Sequence, residues 1–120
     1  MELVEDKHSN NLDIKKYSNE TIFISDMTYT EPIVIHQNSI SIFNISDPLL
    51  ITIDELKIYL TDVDLILIGT GKKNVLLNQK LLKSIHDNNK GLEFMNTKSA
   101  CKTHNLLLSE KRSFTSILYP

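Results

Sequence analysis

Hydrophobic residues alternate with polar ones in the first half of the chain, between about residues 21 and 45. Isoleucines stand two positions apart in three places, and this alternation predicts half-buried β-strands. The polar stretch Gln37-Asn38-Ser39 predicts a turn before the last of them. The isoleucine pairs are Ile22 and Ile24, Ile33 and Ile35, and Ile40 and Ile42. We therefore expect this region to form antiparallel strands.

The pattern changes after Pro48. Thr52 and Glu55 have the spacing of a capping box, and the apolar residues that follow recur at helical intervals, which predicts a short helix. Leu65 to Ile68 is continuously apolar, as in a strand that is covered on both faces and has parallel neighbours. We expect this strand at the centre of a sheet.

A second helix and a second apolar strand follow the turn at Gly69. Apolar residues at positions 77, 81, 82 and 85 form one helical stripe, and Gly91 suits the left-handed position beyond a helix. Leu92 to Met95 then predicts a short strand. If this strand is parallel to the one at 65–68, the connection is a right-handed crossover, and the segment is one βαβ unit.

A third helix and a final strand complete the pattern. Asn96 or Thr97 can cap the helix, which carries its apolar residues on one stripe, and Phe114 to Tyr119 predicts the strand. This order of elements predicts an α/β fold. A small N-terminal antiparallel part comes first, and a mixed sheet with βαβ crossovers follows it.

Length and composition favour one domain. A chain of 120 residues with 41% hydrophobic residues can bury a single core without help from a metal or a disulfide. Residues 1–20 have few apolar anchors. We therefore expect them to form a flexible N-terminal arm, with one short ordered piece near residues 14–17. Residues 21–120 are expected to form the single α/β domain.

Charge and hydropathy exclude several classes of protein. A net charge of −2, from 13 basic and 15 acidic residues, offers no attraction for nucleic acids. The start of the chain has no signal or transit pattern, and no apolar run reaches the roughly 18 residues that span a bilayer. The single cysteine, Cys101, fits a reducing compartment. We expect a cytoplasmic protein that is not an integral membrane protein.

The stretch Gly69-Thr70-Gly71-Lys72 lies between a predicted strand and a helix, where α/β sheets place ligands. Two glycines and a lysine at this point fit three interpretations: a tight turn, a site for a small anion, and a nucleotide site. Asn74 stands where a dinucleotide fingerprint has its third glycine, which disfavours the last of these.

Candidate chemistry elsewhere is sparse. Cys101 and His104 lie three apart on a predicted helix, but both fall on or beside its apolar stripe, which favours packing over nucleophilic chemistry. The four histidines have no partner at a metal-ligand spacing. We predict no catalytic residue, no metal and no cofactor.

The last helix carries polar residues on a second face. Thr97, Thr103, Asn105 and Arg112 either satisfy neighbouring backbone groups or form a functional edge, and the pattern leaves both interpretations open. Parallel neighbouring strands would bring the turns that follow them to the same end of the sheet. We therefore place these four residues beside the turn at Gly69.

Two motifs together resemble a known family. They are Gly69-Thr70-Gly71 after a buried strand, and Glu93-Phe94-Met95 followed by Thr97-x-x-Ala100-x-x-Thr103-x-Asn105-x-Leu107-x-x-Glu110-x-Arg112. Over residues 20–120 the chain resembles the small domain of unknown function that includes mitochondrial complex I assembly factor 3 and the adipogenesis-associated animal protein. The chain looks like a bacterial-type member. It departs from the family pattern in having no tryptophan, whereas Tyr29 fits.

The resemblance implies a fold and a kind of activity. The fold is a three-layer α/β arrangement, with a central mixed sheet and a small additional β layer. The mitochondrial members are scaffolds for assembly intermediates of a respiratory complex. No catalytic residue or cofactor comes with the motif.

Two hypotheses about function follow. The first is a non-enzymatic interaction or assembly module with an unknown protein partner, bound around Gly69 to Lys73 and the polar helix edge. The alternative is a small-molecule binder or minor enzyme that holds an anionic ligand with Gly71 amides, Lys72 and Arg112, oriented by Thr97 or Thr103. The chain is expected to be a monomer, or a weak homodimer through a sheet edge or helix face.

Overall fold

The computed structural model describes residues 12–120. It contains two β-sheets, three α-helices and one 3₁₀ turn at Pro48–Leu50. The strands are β1 (Ile14–Ser18), β2 (Thr21–Ile24), β3 (Met27–Tyr29), β4 (Ile33–His36), β5 (Ser39–Ile42), β6 (Leu65–Gly69), β7 (Gly91–Met95) and β8 (Phe114–Leu118). The helices are α1 (Ile53–Leu60), α2 (Gln79–Asp87) and α3 (Thr97–Ser109).

The first sheet is small and antiparallel, in the order β1-β2-β3. The packed chain starts earlier than the sequence predicts, because Leu12 and Ile14 are buried in the core and β1 pairs with β2. Residues 12–20, which the sequence analysis assigns to the arm, therefore include packed residues of the domain. The ordered piece expected near residues 14–17 is β1, and residues 1–11 of the predicted arm lie outside the described residues.

The second sheet has five strands in the order β5-β4-β8-β6-β7. Strand β4 is antiparallel to β5 and β8, and β6 is parallel to β7 and β8. The central strand is β8, not β6 as expected. Its buried Thr115 and Ser116 gave it a less apolar pattern than Leu65–Gly69, although both strands are covered.

The five-stranded sheet separates two cores. Alternation along β6 directs Ile66 and Ile68 towards α1 and α2, and Leu65 and Leu67 towards α3 and the small sheet. The structure is therefore the expected α/β arrangement, with a central mixed sheet, βαβ crossovers and a small N-terminal antiparallel β layer.

Local signals explain three of the helix ends. The Glu55 carboxylate accepts hydrogen bonds from the Thr52 amide at 2.6 Å and from its hydroxyl at 2.9 Å. Of the two candidates for the cap of α3, Asn96 takes the role, because its Oδ1 accepts from the Ser99 amide at 2.9 Å. The left-handed residue after α2 is Asn89, with a φ of 61°, and not Gly91 as expected.

Candidate functional site

Gly69 and Gly71 shape the turn that leaves the carboxyl end of β6. A Cβ atom at Gly69 would lie 2.9 Å from Thr97 Oγ1 and 3.0 Å from Ala100 Cβ, so glycine lets α3 approach the strand. Gly71 has a φ of 96°, in the region that favours glycine. Close packing requires glycine at position 69, and the positive φ favours glycine at position 71. Both observations support the tight-turn interpretation.

The Thr97 side chain is a buried junction between three parts of the chain. Its hydroxyl accepts a hydrogen bond of 2.8 Å from the Gly71 amide and donates one of 2.5 Å to the Tyr119 carbonyl. The Thr97 amide donates in turn to the Gly71 carbonyl at 2.8 Å. Because the Gly71 amide is bonded within the protein, the expectation that it holds an anion is corrected.

The other two threonines of the predicted site are also engaged. The Thr70 hydroxyl donates to the Lys73 carbonyl at 2.7 Å, and its amide donates to the Met95 carbonyl at 2.8 Å. The Thr103 hydroxyl, which is partly buried, lies 3.4 Å from Met95 Sδ. Both hydroxyls therefore make contacts within the fold.

Lys72 lies on the surface and reaches the turn between β1 and β2. Its Nζ is 2.8 Å from Glu20 Oε2. The hydrogen bond from Lys72 lowers the pKa of the Glu20 carboxyl, and the same bond raises the pKa of the Lys72 ammonium. The cation expected to attract an external anion thus has a carboxylate partner in its own chain.

Asn105 fixes β1 to α3. Its Oδ1 accepts a hydrogen bond of 2.7 Å from the Ile14 amide, and its Nδ2 donates one of 2.9 Å to the Ile14 carbonyl. An amide side chain that pairs with both backbone groups of one residue acts as an additional rung of the sheet. Within residues 12–120, the Asn105 side chain therefore has a structural role, which is to hold β1 against α3.

Arg112 lies at the opposite end of the sheet from Gly69. It precedes β8, which runs parallel to β6, and the register pairs Leu65 with Phe114 at the starting ends of these strands. Its guanidinium is 3.9 Å from Glu110 and lines a cavity of about 270 Å³ with Asp62. One ligand cannot contact Gly71, Lys72 and Arg112 together, so the predicted anion site is not assembled.

His36 forms a chain of polar contacts that its sequence position does not reveal. Its Nδ1 lies 2.6 Å from Thr115 Oγ1 and its Nε2 lies 3.3 Å from Asp62 Oδ2. The order of hydroxyl, imidazole and carboxylate resembles a catalytic triad. Thr115 is fully buried, however, so no substrate reaches its hydroxyl. These polar contacts instead satisfy the hydrogen-bonding groups of the side chains that form them.

His104 has a corresponding role on the other face of β8. Its Nδ1 lies 2.8 Å from Ser116 Oγ and its Nε2 lies 3.0 Å from the Leu12 carbonyl. Burial lowers the pKa of His104 and raises the pKa of Cys101 to about 11, so the thiol is protonated at neutral pH. Both residues pack in the core. Within residues 12–120, no three His, Cys, Asp or Glu side chains are grouped closely enough to hold a metal ion.

Strand β5 is an edge of the five-stranded sheet, and its outer side pairs with no described strand. The Phe43 amide donates to the Pro32 carbonyl at 2.9 Å. Because hydrogen-bonded and non-hydrogen-bonded pairs alternate along an antiparallel ladder, the amides and carbonyls of Ile40 and Ile42 point away from β4. Among residues 12–120 these groups have no hydrogen-bond partner, and they form an open row of donors and acceptors.

This edge is uncharged and lies beside an apolar groove. Residues 32–46 contain no Asp, Glu, Lys or Arg, in a chain that is 23% charged. Ile42 and Met27 are 50% and 58% exposed. The groove, about 310 Å³ in volume, is lined by Leu12, Ile24, Ser25, Asp26, Met27, Tyr29, Asn38 and Ile40. We call the outer side of β5 and this cavity the β5 groove.

One known protein is similar to this chain in sequence over nearly its whole length. A protein of Francisella tularensis subsp. holarctica, described as a "13 kDa major membrane protein", is 30% identical over 121 residues, which cover 98% of both chains. No helix within residues 12–120 of the present chain is long and apolar enough to cross a membrane. The word "membrane" in the name of this relative therefore has no counterpart in a membrane-spanning helix within residues 12–120.

Two solved structures show the same fold. An outer membrane protein from Bartonella henselae superimposes with a TM-score of 0.80 at 23% identity, covering 91% of this chain and 94% of that chain. A Mth938-like domain from Bordetella pertussis has a TM-score of 0.76 at 20% identity, covering 93% of this chain and 87% of that chain. The family model for proteins of unknown function, DUF498/DUF598, matches residues 14–119. The chain thus belongs to the DUF498/DUF598 family.

Proposed function

We propose that this chain is a non-enzymatic interaction module that binds an extended segment of a partner protein along the β5 groove. The observation that carries the proposal is the open row of backbone groups at Ile40 and Ile42. A partner strand that pairs with this row would extend the five-stranded sheet, which is a common mode of peptide recognition.

The chemistry of the groove defines the partner segment. Backbone pairing favours an extended segment, and the apolar wall formed with Met27 and Tyr29 favours apolar side chains at alternate positions. The uncharged stretch at residues 32–46 gives a charged strand no counterion. Asp26 is the charged residue of the lining, so a single basic side chain at that end is compatible.

The other edge of the same sheet is less suited to strand addition. Strand β7 carries the exposed Glu93, and the segment Asn74 to Leu76 lines a cavity with Phe94 and Met95 beside it. Charged side chains and covering segments are common protections of sheet edges. The contrast between the two edges supports β5 as the docking edge.

The assembly role is a finer part of the proposal. The resemblance to the family of mitochondrial complex I assembly factor 3 and the adipogenesis-associated animal protein supports a scaffold that holds a protein during assembly. We place this role in the cytoplasm of a bacterial-type cell. The contact surface expected around Gly69, Lys72 and Thr97 moves to the β5 groove, because the polar groups of the former bond within the fold.

Affinity capture with two charged variants tests the proposal. Ile42→Lys places an ammonium on the β5 groove, whereas Ile58→Lys makes the same change at a residue that is 70% exposed on α1. We expect Ile42→Lys to weaken recovery of the partner by about tenfold or more, the effect of 1.4 kcal/mol, and Ile58→Lys to leave recovery unchanged. Equal recovery by both variants, with matching melting temperatures, would rule out the β5 groove.

A further inference from the structure

A second cavity, outside the β5 groove, lies between β1 and α3. Its volume is about 280 Å³. The residues that line it are Ile14, Lys15, Lys16, Tyr17, Lys98, Cys101, Lys102 and Asn105. Four of these are lysines and none is an aspartate or glutamate, although the whole chain has a net charge of −2. Positive charge is therefore concentrated around this one cavity.

The fold places the lysines there by two different means. Lys98 and Lys102 are four residues apart on α3, so they share one face of the helix with Asn105. On β1, the pairing register shifts between Ile14 and Lys16, which leaves Lys15 as an extra residue in a β-bulge. A bulge redirects side chains, and both neighbouring lysines line the cavity in spite of the usual alternation.

These lysines have no acidic partner in the described part of the chain. None of the four ammonium groups forms an ion pair with a carboxylate of residues 12–120. The Lys16 ammonium lies 5.5 Å from the centre of the Phe23 ring, which stabilises a cation without neutralising it. The cavity is thus a positive site whose charge the described residues leave unbalanced.

Tyr17 also lines the cavity. Its hydroxyl oxygen is buried and has no hydrogen-bond partner among residues 12–120. Burial raises the pKa of this hydroxyl, which therefore carries its proton at neutral pH and can donate a hydrogen bond. Because this oxygen is buried, a ligand held in the cavity does not reach it, and the lysines carry the site.

We propose that this cavity, which we call the lysine pocket, binds the phosphate group of an anionic ligand. Lys98, Lys102 and Lys15 would supply the positive charge that binds the phosphate oxygens. Lysines act as flexible point charges and suit phosphate oxygens from several directions. A volume near the lower limit of small-ligand pockets, roughly 300 Å³, admits a phosphate ester or a lipid headgroup more readily than a whole nucleotide.

Two binding measurements on the full chain test this site and identify the source of the phosphate. The first is co-sedimentation with vesicles of phosphatidylglycerol in phosphatidylcholine, compared with vesicles of phosphatidylcholine alone. The second is a titration with inorganic phosphate and pyrophosphate, followed by amide chemical shifts. Binding to phosphatidylglycerol vesicles alone would identify a lipid headgroup, and saturable shifts with pyrophosphate would identify a soluble phosphate compound.

Matched variants separate a specific site from general charge attraction. The double variant Lys98→Gln/Lys102→Gln removes two charges from the lysine pocket, and Lys80→Gln/Lys83→Gln removes two from α2. At about 1 kcal/mol for each lysine, we expect roughly 30-fold weaker binding for the first variant and little change for the second. Equal losses in both, or no binding to any of the probes, would overturn the proposal.

Tyr17→Phe is a control that changes the wall of the cavity without altering its charge. Because the hydroxyl has no partner within residues 12–120, its removal is expected to leave the fold intact. Because the buried hydroxyl does not reach a ligand in the lysine pocket, we expect Tyr17→Phe to bind the probe with unchanged affinity. A loss of affinity as large as that of Lys98→Gln/Lys102→Gln would contradict the assignment of binding to the lysines.

Discussion

The hydroxyl of Thr97 accepts a hydrogen bond of 2.8 Å from the amide of Gly71 in a fully buried position. The pair joins the start of α3 to the turn after β6, and the same hydroxyl reaches the Tyr119 carbonyl. The sequence pattern predicts that the same two residues, Gly71 and Thr97, bind a ligand. The role of this junction in the structure is therefore to hold three chain segments together.

Removal of the Thr97 hydroxyl tests the junction. Thr97→Val keeps the shape of the side chain but leaves the Gly71 amide and the Tyr119 carbonyl without their partner, so we expect a loss of about 3 kcal/mol in the free energy of unfolding. Urea denaturation measures it. Thr103→Val, at a partly buried position, is the control and should lose less than about 1 kcal/mol. Similar losses in the two variants would contradict the junction.

Close packing of α3 on β6 predicts that Gly69 tolerates no side chain. A Cβ atom there would lie 2.9 to 3.0 Å from three neighbours, so Gly69→Ala should destabilise the protein by about 2 kcal/mol through overpacking. Gly91→Ala is the matched control, because the nearest atom to its added Cβ is the end of the Leu65 side chain, Cδ1, at 3.1 Å. Thermal denaturation compares them, and a larger loss at Gly91 would oppose this packing account.

Burial of His104 predicts a pH dependence of stability. Because burial lowers the pKa of its imidazole in the folded state, the unfolded chain binds the proton more readily. The free energy of unfolding should therefore fall as the pH drops below about 6.5, the ordinary value of histidine. Titration of the His104 ring by NMR checks the cause directly. A midpoint above the ordinary value would show that the sign is wrong.

Two tyrosines provide a comparison of paired and unpaired hydroxyls. The Tyr119 hydroxyl donates to the Ile45 carbonyl at 2.7 Å, whereas the Tyr17 hydroxyl has no partner within residues 12–120. We expect Tyr119→Phe to lower the free energy of unfolding by about 1 to 2 kcal/mol and Tyr17→Phe to leave it unchanged or raised. Urea denaturation of the two variants distinguishes them. Equal destabilisation would mean that Tyr17 is bonded in solution.

Much of the fold follows from periodicity, and the exceptions have physical reasons. The isoleucine pairs and the Leu65–Gly69 strand dominate their segments, so their strands are predictable. Strand β1 is not predictable in this way, because the charged Lys15 and Lys16 interrupt the alternation of apolar and polar residues. The strand is anchored by burial of Ile14 and by hydrogen bonds from α3. Strand β8 is read correctly as a strand but not as the central one, because its polar Thr115 is satisfied by a distant histidine.

The candidate site was harder to predict than the fold. The argument from parallel strands correctly brings Gly69 and Thr97 together, since both lie at the ends of parallel strands. It fails for Arg112, which follows a helix and precedes a strand and so belongs to the opposite end. The open edge of β5 and the lysine pocket depend on sheet order and on a bulge, and neither feature has a signal in periodicity.

Hydrogen–deuterium exchange in the captured complex tests the β5 groove most directly. The amides of Ile40 and Ile42 point away from β4 and should exchange rapidly in the isolated protein. Strand addition predicts that both amides become protected when the partner binds, while the already paired Ser41 amide changes little. Protection elsewhere, with Ile40 and Ile42 still exchanging rapidly, would contradict the proposed docking edge.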